Sequence, residues 1–233
     1  MRNKVMLGVV AVSLALAALT AQDYQPTCFM CPGTYIPGTE IQAYAKRAMA
    51  NQLVDQQIRA VNIGKVNLDV GVVYRGKLDR PGDVAEHDLV SELYHVIDGS
   101  ATLNLGPDLE GKVRRPSTMT TVRLMNGPGN GASSIKDGVA YDLKAGDVVI
   151  IPAGTGHQFM KIDDHITYLM VRIDPDKVTP HKTQADSMAD LATDGRELAG
   201  GGSQHSRVWI AITWRDRRRC VLFFGQHRMG TVR

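Results

Sequence analysis

Two histidines and one glutamate carry the chemistry legible in this chain: His87, Glu92 and His157. Imidazole nitrogens and a carboxylate oxygen suit divalent first-row metals, and a face of two His and one carboxylate leaves coordination positions open. His87 and Glu92 stand in the pattern His87-x(4)-Glu92-x(6)-Gly99. His157 closes a different stretch, in which the β-branched run Val148-Val149-Ile150-Ile151 enters the turn Pro152-Ala153-Gly154. Along the strand after His87, alternation puts Glu92, Tyr94 and Val96 on one side and Leu93, His95 and Ile97 on the other. If Glu92 faces a barrel interior, its carboxylate needs a metal or a cationic partner there.

The elements that must position these residues read as mostly β. Short strand-like runs cover 57–63, 66–74, 91–97, 101–105, 119–124, 139–143, 148–151, 158–162 and 165–173. Turn chemistry separates most of them, as at Lys136-Asp137-Gly138 and Lys144-Ala145-Gly146, and Asp98-Gly99 fits a tight hairpin. Strands and helices do not alternate, so a nucleotide-binding α/β fold is not expected. Before the strands, 40–56 reads as an amphipathic helix with Ile41, Tyr44, Ala45, Ala48, Met49, Gln52 and Leu53 along one face and Thr39 as its N-cap. Two long loops interrupt the pattern, at 106–118 and 126–137. The second contains Gly127-Pro128-Gly129-Asn130-Gly131, expected as a flexible surface insertion, with a phosphate cradle as the alternative.

The histidine and glutamate spacings resemble the two characteristic motifs of the cupin family. In family terms these are G-x(5)-H-x-H-x(3,4)-E-x(6)-G and G-x(5)-P-x-G-x(2)-H-x(3)-N. The first is matched in part, at His87, Glu92 and Gly99; the second is matched through its histidine, at Gly146, Pro152, Gly154 and His157. Ala85 stands where the first motif has its leading histidine, Asp79 where it has its leading glycine (Gly82 is close), and Lys161 where the second has its asparagine. The resemblance spans about 66–173. It implies an all-β fold, a cupin-type double-stranded β-helix (jelly-roll) barrel, here with an N-terminal helical extension. It implies His87, Glu92 and His157 as ligands of a divalent metal, with Fe(II) favoured and Mn, Ni or Zn open. Tyr94 and His95 are the expected catalytic groups, as proton donor or orienting group. A bulge that turned His95 inward would also make it a replacement ligand. The expected function is a metal-dependent oxygenase, isomerase or lyase acting on a small metabolite. Two alternatives remain: a non-catalytic barrel that binds a small ligand, and an assembly protein. A homodimer is implied by resemblance, through strand exchange or the 40–56 helix. His165 reads as a turn or surface residue, and His181, His205 and His227 lie outside the barrel.

Charge is unevenly spread. The formal total is +3, of which the tail 196–233 holds +6, from eight Arg against Glu197 and Asp216, and the first residues hold +2, from Arg2 and Lys4. The balance on 22–195 is therefore −5, which argues against nucleic acid as a partner of the core. Arg2 and Lys4, the apolar run 5–19 and Thr20-Ala21-Gln22 form an export-signal pattern, cut after Ala21, and imply a secreted or periplasmic protein with no stable membrane insertion after cleavage. Cys28-x-x-Cys31 follows, read as a disulfide or inert pair, with redox or metal chemistry as the other reading. The expected division is a signal at 1–21, a Cys-containing segment with helix and first strand at 22–65, the barrel at 66–175 and a polar extension at 176–198, with a helix around 184–192. A basic tail at 199–233 completes it, read as disordered or aberrant and foreign to the domain.

Overall fold

The computed structural model describes residues 32–193. The signal pattern, Cys28, Cys31 and the basic tail lie outside the described residues. Helix α1 spans Gly38–Asn51, followed by strands β1 Asp55–Asn62, β2 Asn67–Leu78, β3 Val84–His87, β4 Ser91–Gly106, β5 Leu109–Glu110, β6 Val113–Arg114, β7 Gly129–Ala132, β8 Ser134–Ile135, β9 Val139–Lys144, β10 Val148–Ile151 and β11 Gly156–Asp174, then helix α2 Gln184–Leu191. All strand pairings are antiparallel.

Two long strands, β4 and β11, organise the barrel. Their second and first halves respectively pair together, from Gly156 opposite Gly106 to Lys161 opposite Thr102, and their other halves pair from Ile166 opposite Gly99 to Ile173 opposite Ser91. One sheet adds β2 and β1 on the β11 side and β10 on the β4 side. The other adds β9 beside β4, and β3, β7 and β6 beside β11. The two sheets close over a buried core that includes Val73, Val96, Leu103, Leu143, Phe159, Ile162, Ile166 and Met170. The expected pairs 91–97 with 101–105, and 158–162 with 165–173, are thus each one continuous strand. No hairpin forms at Asp98-Gly99; Gly99, at φ 78, bends β4 where it passes between sheets, with register shifts on either side of its pairing with Ile166.

Three further expectations change. The run 119–124 is not a strand. It forms a helical turn with a π segment at Val122–Asn126, because the buried pair Val122 and Met125 is spaced for a helix face. The Gly-rich loop at 126–137 is neither a free insertion nor a phosphate cradle: Gly129–Ala132 is β7, sandwiched between β3 and β6. The first helix ends at Asn51 rather than continuing to 56, closed by Gln52 in the left-handed region, and its N-cap is Pro37 rather than Thr39. Tyr44 on its inner face, with Ile41 and Ala45 beside it, packs with Ile58 and Val72; Ala48 is buried as well, while Met49 is exposed.

Helix α2 matches its expected position. Thr183 and Asp186 form a capping box at its start. Ser187 and Asp190 tie it to α1: the Tyr44 hydroxyl donates to the Ser187 carbonyl at 2.9 Å, and Arg47 pairs with Asp190 at 2.9 Å. Beneath them Arg59 pairs with Glu40 at 3.0 Å, so both helices lean on the β1 side of the barrel. Strand β1 belongs to that sheet through its whole length, so the barrel sheet extends back to Asp55.

Candidate metal centre

Each of the three candidate ligands sits at a strand end, and the backbone brings the ends together. His87 is the last residue of β3 and lies opposite Gly129 of β7. A Cβ at position 129 would meet the Glu86 carbonyl oxygen at 2.2 Å, so only glycine lets β7 approach β3 this closely. His157 follows the turn Pro152–Thr155, closed by the Thr155 N–H donating to the Pro152 carbonyl at 3.1 Å, with Gly154 at φ 79. The Gly154 N–H then donates to the His87 carbonyl at 2.7 Å, and the Ala153 N–H to Ser91 Oγ at 3.0 Å. One turn therefore fastens His157 to His87 and to the start of the strand that carries Glu92. Glu92 itself lies opposite Ile151 on one side and Arg172 on the other.

All three side chains are buried, and their nearest ligand atoms lie within 4.8 Å of one another. His87 Nε2 is 3.4 Å from Glu92 Oε1, and His157 Nε2 is 3.7 Å from Oε2. The two imidazoles thus face the two oxygens of one carboxylate. Tyr94 donates its hydroxyl to Oε2 at 2.7 Å, and Arg172 Nε donates to Oε1 at 3.3 Å. Burial alone raises the Glu92 carboxyl, but His87, His157 and Arg172 outweigh it and hold the group well below its ordinary range. Burial lowers His157 to about 4 against the pull of Glu92, so its ring is neutral at neutral pH. Burial, then the Glu92 charge, raises the Tyr94 phenol well above its usual value, so it remains a donor. An ionised carboxylate and a neutral imidazole are the protonation states a divalent cation requires of these ligands.

The donor set fits such a cation, with one departure. A ligating histidine usually donates its second ring N–H to a carboxylate, carbonyl or water. Here Nδ1 of both His87 and His157 is buried and has no hydrogen-bond partner among the described residues. Packing orients the rings instead: their centroids are 5.3 Å apart, and Tyr94 meets His157 edge-on at 6.3 Å.

The site opens into a cavity of about 630 Å³. Ala85 lines it, directly opposite His157 in register, and supplies no donor atom. Tyr94 also lines it and reaches Glu92, as its strand parity predicts. His95 does not join the site. It is exposed on the outer sheet face, because β4 keeps strict alternation through Glu92, Tyr94 and Val96 with no bulge to turn it inward. It is therefore neither a ligand nor a proton donor at this centre. His165 is at the surface beside Asp98 and Asp164, and His181 bonds to Asn67 away from the centre.

Sequence reasoning missed four charged residues around the site. Arg172, 1% exposed, bridges Glu92 and Asp55. Arg75 and Arg115 line the cavity, as does Asp55. Arg172 had a readable signal: on β11 it shares the inward parity of Ile166, Tyr168 and Met170, which makes it the cationic partner that a buried Glu92 demands. Two antiparallel sheets share two long, bent strands, and both histidines and the glutamate line one cavity of the barrel they form.

The fold is a cupin-type double-stranded β-helix. No family model matches the chain, and no curated protein sequence does. Among solved structures, the chain is similar to a Bacillus halodurans protein, at 17% identity over 69% of this chain and 97% of that one with a TM-score of 0.37. It is also similar to the EutQ protein of Clostridium difficile, at 15% identity over 61% and 82% with a TM-score of 0.31. A third is an RmlC-like cupin family protein with a double-stranded β-helix fold from Methanocaldococcus jannaschii, at 14% identity over 54% and 85% with a TM-score of 0.32.

Proposed function

We propose that this chain is a metal-dependent enzyme that acts on a small metabolite in the barrel cavity. The observation that carries the reading is the pair of Nε2 atoms facing the two oxygens of an ionised, buried Glu92 at the wall of a cavity of about 630 Å³. His87, Glu92 and His157 hold a divalent cation, with Fe(II) first and Mn, Ni or Zn as alternatives. Such an ion supplies Lewis-acid polarisation or a site for dioxygen. The chain's own residues do the rest. Arg172 and Tyr94 fix the Glu92 carboxylate from opposite oxygens, and Val73, Met125 and Met170 line the same cavity and keep part of it apolar. Tyr94 acts as a positioning residue through Glu92.

Metal analysis of the full chain after anaerobic reconstitution with Fe(II), Mn(II), Ni(II) or Zn(II) tests the reading. One equivalent of metal, lost in His157→Ala, is expected; no uptake of any of the four would refute it. Dioxygen consumption over a metabolite panel then separates oxygenase from isomerase or lyase chemistry. A second reading, a non-catalytic ligand-binding barrel, has one observation in its favour: Arg172 and Tyr94 already satisfy Glu92 without a cation. Ligand binding without metal or turnover would select it.

We also propose export, supported by the sequence 1–21, and a homodimer. The dimer is supported by Ile97, Val148 and Ile150, exposed by 46%, 57% and 65% on the β4 and β10 outer face. Sedimentation of the wild type as a dimer and of Ile150→Lys as a monomer is expected; a monomeric wild type refutes it.

A further inference from the structure

Two guanidinium groups on the cavity wall lack a carboxylate partner among the described residues. Arg115 follows β6 and is half-buried, with its side chain in the cavity lining. Three acids act on it through space, Glu92, Glu86 and Asp83, yet none is in ion-pair range. Each is otherwise placed. Glu92 is held by Arg172 and Tyr94, Glu86 faces Lys112 at 3.6 Å and Asn130, and Asp83 is exposed at the rim. The neighbouring Arg114, by contrast, is paired with Asp88.

Arg75 comes from β2. It lies over the Phe159 ring at 4.6 Å and donates Nε to the Tyr168 hydroxyl at 3.4 Å, while its terminal NH₂ groups have no partner among the described residues. Both line the same cavity as His87, Glu92 and His157, and both charges act on the His157 ring. Burial disfavours both charges; at Arg75 the Tyr168 hydroxyl, Tyr94 and the Asp55 charge outweigh it, whereas at Arg115 burial prevails over the three distant acids, so Arg115 is the cation that gains most when a ligand supplies a counter-charge. A guanidinium offers a planar fork of donors that matches a carboxylate. The remaining wall, with Met119, Met125 and Met170, is apolar and adaptable.

We propose that Arg115 and Arg75 anchor the carboxylate of a small-molecule substrate in this cavity, with the apolar body of that substrate along the methionines. The proposal rests on the cavity being the substrate site, but not on a metal being bound.

Calorimetry on the full chain, metal-free and metal-loaded, tests it with straight-chain mono- and dicarboxylates from propionate to adipate and with benzoate, each against its amide. At least one acid binds to the metal-free protein, and its amide binds at least about tenfold more weakly. Arg115→Gln weakens that acid by about 10- to 100-fold while metal stoichiometry stays at the wild-type value. Arg115→Lys keeps the charge and loses the fork, and falls between the two. Absence of any preference for acid over amide overturns the proposal, as does an Arg115→Gln affinity within twofold of wild type. Should Arg115→Gln not fold, an Arg115→Lys affinity equal to wild type overturns it equally. Acid selectivity without metal uptake refutes the metalloenzyme reading and leaves the anchor standing; metal uptake without selectivity does the reverse.

Discussion

Replacing Arg172 with Met tests how the carboxylate of the centre is held. Arg172 is 1% exposed and links two acids, Glu92 at 3.3 Å and Asp55. Met fills similar space but carries no charge. Removing one member of a buried ion pair costs about 3–5 kcal/mol, because the other charge stays behind without a partner. Here two acids are affected unequally. Asp55 has a side chain 21% exposed and a carboxyl already raised by burial, so it relaxes by hydration or protonation. Glu92 is 2% exposed and keeps only Tyr94 and the imidazoles. The expected loss in urea unfolding of the metal-free full chain is therefore about 3–5 kcal/mol, mostly from Glu92. A cation on His87, Glu92 and His157 replaces the missing positive charge, so saturating metal stabilises Arg172→Met more than it stabilises the wild type, for which a ligand at a hundred times its Kd adds about 2.7 kcal/mol. A triple replacement that also makes Glu92 and Asp55 leucine recovers most of the loss, since no charge remains stranded. A loss below about 1 kcal/mol in the single variant would show that Arg172 does not neutralise Glu92 and refute the reasoning.

Three further outcomes follow from the same geometry. Glu92→Gln keeps the shape of the side chain, removes the anionic ligand and abolishes stoichiometric metal uptake; retention of one equivalent by atomic absorption would place the metal elsewhere. Gly129→Ala puts a Cβ against the Glu86 backbone, lowers stability by about 1–3 kcal/mol and displaces His87, so that melting temperature and metal affinity fall together. Asp69 is buried, and burial first, with Asp174 adding to it against Thr179 and Arg172, raises its carboxyl to about 6. The folded state then holds a proton that the unfolded chain releases near its ordinary value of 3.8, so stability falls as pH rises from about 4 to about 6, by up to about 1.4 kcal/mol per pH unit, and levels off above that window. Asp69→Asn removes this component, and the difference between wild-type and variant unfolding curves against pH should lose its slope above about 6; a difference that is flat across the window contradicts the assignment.

What was legible in the sequence and what was not divides along one physical line. Parity along a single strand is local, and it correctly turned Glu92 and Tyr94 inward and left His95 outside. Turn chemistry is local as well, and Pro152 with Gly154 did turn the chain just before His157, but it does not say which strands then pair: β11 begins at Gly156 and lies beside β2, β3 and β4 rather than β10, and Asp98-Gly99 makes no hairpin. Pairing register is not local. The β7 strand carries almost no side chains with strand preference; Gly129 and Gly131 are there because β3 passes too close for a Cβ at 129, a fact that only the partner strand supplies. The 119–124 run alternates well enough for a strand, but Val122 and Met125 gain more burial on one face of a helical turn. The same limit hid the electrostatics of the centre. Alternation alone puts Arg172 inside, but only its register opposite Glu92 makes it that carboxylate's partner, and only the closed barrel brings Arg75 of β2 and Arg115 after β6 to the same cavity. The three candidate ligands are therefore written in short motifs, whereas the charged groups that surround them share no motif and meet only through the fold. Ala85 shows both sides at once. Its type is readable as a missing ligand, yet its place directly opposite His157, on the wall of the cavity, is a property of β3 and β11 together. From that placement Ala85→His adds a fourth donor from the neighbouring strand and tightens metal binding by at least about tenfold, since paired residues on one sheet face stand close enough to share a ligand. An affinity unchanged from wild type would mean that position 85 does not face the ion, and that the three-ligand centre is not the one described.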